Sequence, residues 1–326
     1  DFCLSRGLGD VYKRQAMDVP HVRQGWIQGA HNAAALELAH ARAAQWARHG
    51  ADAQPLDKAE VSRLIGTDRY LGGWVDRRAG AIQPLSYARG LARAALNAGV
   101  VIHTDTPVAG LRREGGKWTA TTAGGATVIA DRVVMCTNAY GADLLPGLKP
   151  SIIDANTFQV ATTPLPERLR AAIFPEGHVT SDTRNLLLYF RLDHQGRLLM
   201  GGRGPFREPK GPEDWAHLER VMVKMFPQVA GTPFEYRWCG RVAITRDYLP
   251  HLHEPEPGLL VDIGCQGRGV GLQTSMGRAM AQYLVSGDAK ALPVPLSPVT
   301  PFPLYGLRRL YVNAVVTWYR MTDGGV

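Results

Sequence analysis

The stretch Leu259-Leu-Val-Asp-Ile-Gly-Cys-Gln-Gly-Arg-Gly-Val-Gly271 decides the fold. Leu259 to Ile263 is a short apolar run that reads as a buried strand. A glycine-rich loop follows, then a helix from about Thr274 to Val285 that Gly287 ends. The glycines let the backbone approach a ligand closely and adopt positive φ. The loop also delivers free N–H groups to a helix N-terminus, whose partial positive charge favours an anion.

Elsewhere in the chain the pattern alternates between helix and strand. Leu36, Ala39, Ala43, Trp46 and Ala47 predict a helix over Ala33 to His49, stopped by Gly50. Asp57-Lys-Ala-Glu60 is a capping-box variant that opens a helix through Leu64. Tyr70 to Asp76 reads as a strand, Pro84 to Asn97 as a helix closed by Gly99, and Val100 to His103 as a short buried strand. Lys117 to Thr122 and Thr127 to Ala130 flank the two-glycine turn Gly124-Gly125. Arg132 to Cys136 reads as a central buried strand. Gln159 to Thr163, Leu186 to Leu192 and Arg197 to Gly201 predict an antiparallel sheet, with Glu213 to Met225 as its covering helix. A proline-rich connection, Pro293 to Pro303, leads to a last helix over Arg308 to Tyr319.

The bulk composition excludes several classes. With 45% apolar and 20% charged residues in 326, the chain suits about two globular domains. No apolar run approaches the roughly 20 residues of a membrane span, and no basic-then-apolar leader opens the chain, so a cytoplasmic location is expected. The four cysteines, Cys3, Cys136, Cys239 and Cys265, form no C-x-x-C pair, which argues against structural zinc or a disulfide scaffold. The net charge of +8 comes from scattered arginines, without a run of like charges, so a solvated surface is favoured over nucleic acid. His251 and His253 lie in the Pro-flanked stretch Leu249 to Pro257, read as a surface loop with no third ligand; no metal is expected.

Six strings, taken in order, resemble the D-amino-acid-oxidase superfamily of flavoproteins, and most nearly its gamma-glutamylputrescine-oxidoreductase-like branch. They are Gly80-Ala-Ile-Gln-Pro84, Thr106-Pro-Val108, Val133-Val-Met-Cys-Thr-Asn-Ala139, Gln159-Val-Ala-Thr-Thr-Pro-Leu165, Gly240-Arg-Val-Ala-Ile-Thr-Arg-Asp247 and Gly264-Cys-Gln-Gly-Arg-Gly-Val-Gly271. The resemblance implies an α/β plus α+β chain: a partial Rossmann-like FAD-binding domain, its first βαβ unit missing, with an antiparallel-sheet substrate domain. It divides the chain into a linking helical segment with a strand (16–80), FAD-binding parts (81–150 and 241–326) and the substrate domain (151–240). Residues 1–15 resemble a translated sequencing adapter and are set apart as a junction; Gly7-Leu-Gly9 there lacks the third glycine of a dinucleotide fingerprint, having Tyr12 instead.

The resemblance also implies a site. Non-covalent FAD would be held by Val108, Thr137, Asn138, Arg241, Gly264, Gly267, Arg268, Gly269, Val270 and Gly271. The glycine loop faces the flavin pyrimidine edge in this family. Thr137 and Asn138 end a strand, where such sheets bind ligands. A small amine or amino-acid substrate would meet Tyr189 and Arg191, which alternate onto one strand face, and Arg241, whose planar fork suits a carboxylate. Thr245 and Asp247 follow Arg241 in the segment that lines the flavin. No side-chain general base is demanded and none is named.

Two departures qualify the resemblance. Gly271 stands where sarcosine-oxidase-type relatives carry a lysine that helps activate oxygen, which leaves oxidase and dehydrogenase both open. No G-x-G-x-x-G follows a strand, so an upstream βαβ unit of about 30 residues is expected in the full protein, and this chain alone is not expected to hold FAD tightly. The implied activity is oxidation of a carbon–nitrogen bond. An inactive or binding-only fragment and a tRNA-modifying flavoprotein stay open as alternatives, and the oligomeric state is open.

Overall fold

The computed structural model describes residues 17–323; the junction segment, with Cys3 and Gly7-Leu-Gly9, lies outside the described residues. In chain order the strands are β1 (His21–Val22), β2 (Trp26–Gly29), β3 (Ala53–Leu56), β4 (Gly73–Asp76), β5 (Ala81–Ile82), β6 (Val108–Glu114), β7 (Lys117–Thr122) and β8 (Thr127–Ala130). They continue as β9 (Val133–Met135), β10 (Ile153–Thr162), β11 (Val179–Asp182), β12 (Tyr189–Leu192), β13 (Leu198–Arg203), β14 (Phe234–Ile244), β15 (His251–His253) and β16 (Leu259–Ile263). The longer helices are α1 (Ala33–Arg48), α2 (Lys58–Ile65), α3 (Pro84–Asn97), α4 (Ala216–Met225), α5 (Gly269–Ser286) and α6 (Arg308–Thr322). The chain divides into two compact units, residues 17–91, 156–240 and 310–323 in the first and 92–155 with 241–309 in the second.

The first unit is built on an eight-stranded sheet in the order β14-β10-β13-β12-β11-β2-β4-β3. Its pairs β10–β13, β13–β12 and β12–β11 are antiparallel, while β11 and β2 run parallel. One sheet face carries the core: Phe158, Val160, Phe190 and Met200 pack with Val61, Leu64 and Ile65 of α2 and Leu218, Met222 and Met225 of α4. On the other face α1 lays Ala39 and Ala43 against Trp74 and Ala53, which covers the β4–β3 end. The capping box of α2 is present in both halves: Glu60 N–H donates to Asp57 Oδ1 (2.8 Å) and Asp57 N–H to Glu60 Oε2 (2.9 Å).

The second unit holds two three-stranded sheets, β15-β16-β9 and β6-β7-β8. β16 and β9 are parallel, and β16 is buried along its whole length. Met276 and Met280 of α5 close one side of β16 against Leu252 and Leu260. Met135, Val261, Ile263 and Trp118 form the core of the other.

Several elements differ from their sequence reading. Val100 to His103 forms no strand; Val101 is 74% exposed, because an apolar run becomes a strand only where a neighbour completes its ladder. β9 lies at a sheet edge rather than its centre, leaving Val134 exposed. The strand expected from Tyr70 starts at Gly73, and Tyr70 is instead a core residue. The strand expected from Leu186 starts at Tyr189, because carboxylates capture its first N–H groups. Asp323 accepts from Asn185 N (3.1 Å) and Leu186 N (2.8 Å), and Asp182 from Leu188 N (3.1 Å). The stretch with His251 and His253 is a strand rather than a surface loop; His253 is buried, and its Nδ1 meets Ser297 O at 2.7 Å.

Candidate functional site

In the second unit the glycine loop is shorter than its sequence suggests: α5 begins at Gly269, five residues before the expected Thr274, so the loop proper is residues 264–268. Gly264, Gln266 and Gly267 have φ of 87°, 52° and 75°. Two other segments hold this turn. Asn138, itself at φ 46°, accepts from Gly264 N (3.2 Å) and donates Nδ2–H to Cys265 Sγ (3.4 Å). On the other flank Gln266 Nε2 donates to Thr245 Oγ1 (2.6 Å), and Thr245 Oγ1 donates to Leu249 O (2.7 Å). A methyl at Gly264 would lie 2.4 Å from Thr245 Cγ2, so only glycine fits there. Asn138 was legible in the sequence as a strand-end polar residue; Gln266, hidden among glycines, carried no signal.

Beyond that turn the loop is open. Gly267, Arg268 and Val270 are exposed, and no side chain caps α5. The first-turn N–H groups of a helix have no intrahelical acceptor, so their partial positive charge, reinforced by Arg268, is presented outward. Gln266 Oε1 is buried without a partner. Bare donors, a fixed cation and glycines at the loop's open side fit the anionic edge of a flavin.

The remaining residues named from sequence fall into separate places. Val108 opens β6, pairs with Thr122 and is exposed, in a different sheet from the loop. Thr137 is exposed beside Asn138. Arg241 N donates to Tyr140 Oη (2.8 Å), and its guanidinium lies 5.5 Å from the Tyr140 ring centre. Tyr140 is a partner that the sequence reading missed. Asp247 Oδ1 meets His251 Nε2 at 3.0 Å, and this contact, with the N–H of Leu249, holds its carboxyl below the usual range.

Asp262, two residues before Gly264, is a further group that sequence reading passed over. It is 8% exposed, its Oδ1 has no partner, and burial, eased by the Gln273 amide, pushes its carboxyl up to about 6. Burial and then the charge of Asp262 push the Cys136 thiol up. Cys136, Cys239 and Cys265 are free thiols. Among the described residues no group of three His, Cys, Asp or Glu side chains is placed to hold a metal.

The first unit carries Tyr189 and Arg191 on the sheet face opposite the core, as strand alternation requires. Tyr189 Oη and Thr157 Oγ1 share a 2.5 Å hydrogen bond, and the phenol ring lies across Gly201, where any Cβ would strike it. Arg191 is half-buried, and burial pulls its guanidinium below the usual arginine range.

Among the described residues no helix is long and apolar enough to cross a membrane. Residues 5–283 match the DAO family, described as FAD dependent oxidoreductase; the match opens inside the segment set apart as a junction. The chain is 31% identical over 240 residues to the probable oxidoreductase OrdL of Haemophilus influenzae, covering 72% of this chain and 54% of that protein. It is 30% identical over 298 residues to the gamma-glutamylputrescine oxidoreductase of Escherichia coli, covering 89% of this chain and 68% of the relative. It thus spans between about half and two-thirds of the curated relatives it matches. Glycine oxidase from Geobacillus kaustophilus superposes with a TM-score of 0.76 at 22% identity, over 90% of this chain and 81% of that one. L-proline dehydrogenase from P. horikoshii superposes with a TM-score of 0.75 at 16% identity, over 90% and 80%. With the family match covering most of its length, this chain belongs to the DAO family of FAD dependent oxidoreductases.

Proposed function

We propose that this chain carries the substrate face and part of the flavin site of an enzyme that oxidises a carbon–nitrogen bond in a small amine or amino acid. The observation that carries the reading is the uncapped start of α5 behind a turn locked by Asn138 and Thr245. Bound FAD would accept hydride from the carbon that bears the nitrogen, and the substrate, now an imine, would hydrolyse in water. The chain's own contribution is positioning and charge. Gly267, Gly269, Val270 and Gly271 bring backbone to the ligand, and Arg268 with the first-turn N–H groups offers positive potential to its anionic edge. Arg241, whose guanidinium lies over the Tyr140 ring, carries the planar fork whose geometry suits a carboxylate. Within the first unit, Tyr189 and Arg191 share the sheet face opposite the core and are the polar groups that the family resemblance assigns to substrate. The names of the relatives, glycine oxidase, L-proline dehydrogenase and gamma-glutamylputrescine oxidoreductase, all denote action on amines or amino acids.

The test is anaerobic. The chain is mixed with FAD in excess, so that a weak site is filled, and amines and amino acids are added while the flavin absorbance is followed. Bleaching by at least one carbon–nitrogen substrate is expected. A protein that retains flavin which no amine or amino acid bleaches would sink the reading.

A further inference from the structure

In the second unit β15 sets two histidines two residues apart, so His251 and His253 leave the strand on one face, with their rings stacked at 5.7 Å. Both rings meet Ser297. Ser297 N donates to Leu252 O (2.9 Å) and its carbonyl accepts from His253 Nδ1 (2.7 Å), so the serine backbone is held to the strand from both sides. Its hydroxyl lies 3.2 Å from His251 Nδ1. The other nitrogen of that ring, Nε2, lies 3.0 Å from Asp247 Oδ1, which also accepts from Leu249 N (3.1 Å).

The proton positions follow from the partners. A carboxylate only accepts, so Asp247 places the proton of the neutral His251 ring on Nε2 and leaves a lone pair on Nδ1. The Ser297 hydroxyl has two acceptors in reach, that lone pair at 3.2 Å and Leu252 O at 3.5 Å. Leu252 O already takes the N–H of Ser297, so the shorter contact with the imidazole is the better one. A carboxylate thus orients an imidazole, and the imidazole is set to take a proton from a serine. These are the roles of a nucleophilic triad, which is recognised by geometry and not by order in the chain. Holding Ser297 in place needs only its backbone bonds; the hydroxyl, imidazole and carboxylate in series are an addition to that.

Ser297 is half-buried and lines a cavity of about 560 Å³ whose walls include Leu296, Pro298, Val299 and Pro257. Such walls suit an apolar acyl chain. Glu254 stands in the same lining, bonded to Gly258 N (2.9 Å) and the Tyr283 hydroxyl, and its charge disfavours an anionic ligand. Pro298 has no N–H, so the first backbone donor after Ser297 is Val299 N, which meets no acceptor among the described residues. A developing oxyanion requires a donor of that kind.

We propose that Ser297, His251 and Asp247 form a second catalytic site, one that hydrolyses small neutral esters and makes no use of flavin. Ser297 Oγ attacks the ester carbonyl carbon while its proton passes to His251 Nδ1. The adduct collapses, the bond from carbon to the alcohol oxygen breaks, and the alcohol departs with that proton. Water then gives a proton to the same Nδ1 and attacks the acyl-serine; the acid leaves and Ser297 Oγ recovers its hydrogen. Ser297 and His251 are the catalytic residues, and Asp247 is a positioning residue that acts through His251.

The whole chain is incubated with p-nitrophenyl butyrate and, separately, with a fluorophosphonate whose point of attachment is located by peptide mass spectrometry. Release of p-nitrophenolate and a label on Ser297 are expected. Ser297→Ala is expected to reduce release to the uncatalysed rate and to abolish the label without changing the thermal melt. Ser297→Cys keeps a nucleophile and serves if the alanine variant does not fold; a butyryl thioester at position 297 is then expected. Asp247→Asn is expected to lower kcat by about 10²- to 10⁴-fold at nearly unchanged KM, a split that a merely structural role does not produce. Hydrolysis that survives Ser297→Ala, a label on another residue or on none, or an unchanged kcat in Asp247→Asn overturns the proposal.

Discussion

Each unit of the molecule buries a carboxylate at the end of a strand, and the chain treats the two in opposite ways. Asp182, at the end of β11, is 0% exposed and fully supplied: Arg184 Nη1 donates at 2.6 Å, Arg184 N at 3.2 Å and Leu188 N at 3.1 Å. Burial still outweighs the Arg184 attraction and holds that carboxyl above its usual range. Asp262, in β16, is nearly as buried, yet its Oδ1 has no partner, and the Oε1 of its neighbour Gln273 has none either. A carboxylate supplied in this way fixes a turn. An incompletely supplied one, two residues before the glycine loop, marks a place where folding was not the only demand on the sequence.

Loss of the carboxylate at Asp182 is expected to cost the fold most. Asp182→Ala strands the Arg184 side chain, 9% exposed, without its charge, and strips acceptors from two backbone N–H groups. A loss of about 3–5 kcal/mol is expected in urea unfolding, the range for removing one partner of a buried pair. A loss under about 1 kcal/mol would mean that water replaces the carboxylate and that the two sites are not different in kind.

Asp262 should respond with the opposite sign. Its carboxyl rises from 3.8 to about 6 in the fold, so the native state takes up a proton between those values. The stability of the neutral form is complete below 3.8 and is lost as pH rises through about 6. Above that, the ionised group costs the fold roughly 3 kcal/mol. Asp262→Asn, neutral at every pH, is expected to recover up to roughly that amount at about pH 8 and nothing at acid pH. Thermal melts across the range test it; a variant destabilised only above about pH 6 would show that Asp262 has a partner when ionised.

Much of this was legible in the sequence where a local rule decided the outcome. The capping box at Asp57 and Glu60, the span of α3 and the whole of β16 followed from short-range chemistry. The misreadings share one cause, since Val100 to His103 and the edge position of β9 depend on which strand lies alongside, and a window of residues does not contain its neighbour. The start of α5 was misplaced because four glycines argue against helix by propensity, whereas the Asn138 and Thr245 anchors release the chain into helix at Gly269. Of the site, the glycine loop, Asn138 and Arg241 announce themselves by residue type. Gln266, Tyr140, Thr157 and Asp262 do not, because each matters through a contact with a segment distant in sequence.

The same contrast between satisfied and unsatisfied groups recurs within the loop. Gly264 is required by the protein itself: φ is 87°, and Thr245 Cγ2, on a side chain already bonded to Leu249 O, occupies the place of a Cβ. Gly264→Ala is expected to cost about 1–3 kcal/mol, as strain in a left-handed residue does.

Gly269, by contrast, is under no such demand from the protein. The nearest atoms to a Cβ there belong to Cys265 and Gln273, at 3.5 to 3.8 Å, which is ordinary contact. Gly269 is also the first residue of α5, where alanine serves the helix at least as well. Nothing in the protein therefore asks for glycine at this position, and Gly269→Ala is expected to leave stability unchanged within about 0.5 kcal/mol or raise it slightly. If the glycine exists so that a ligand can approach the backbone, the added methyl instead weakens FAD retention, a loss that Gly264→Ala shows only in proportion to its lost stability. Parallel melts and flavin-retention measurements on the two variants decide it. Weakened retention at unchanged stability identifies Gly269 as a ligand contact; unchanged retention removes it from the site and leaves Gly264, with its Asn138 and Thr245 anchors, as a structural turn alone.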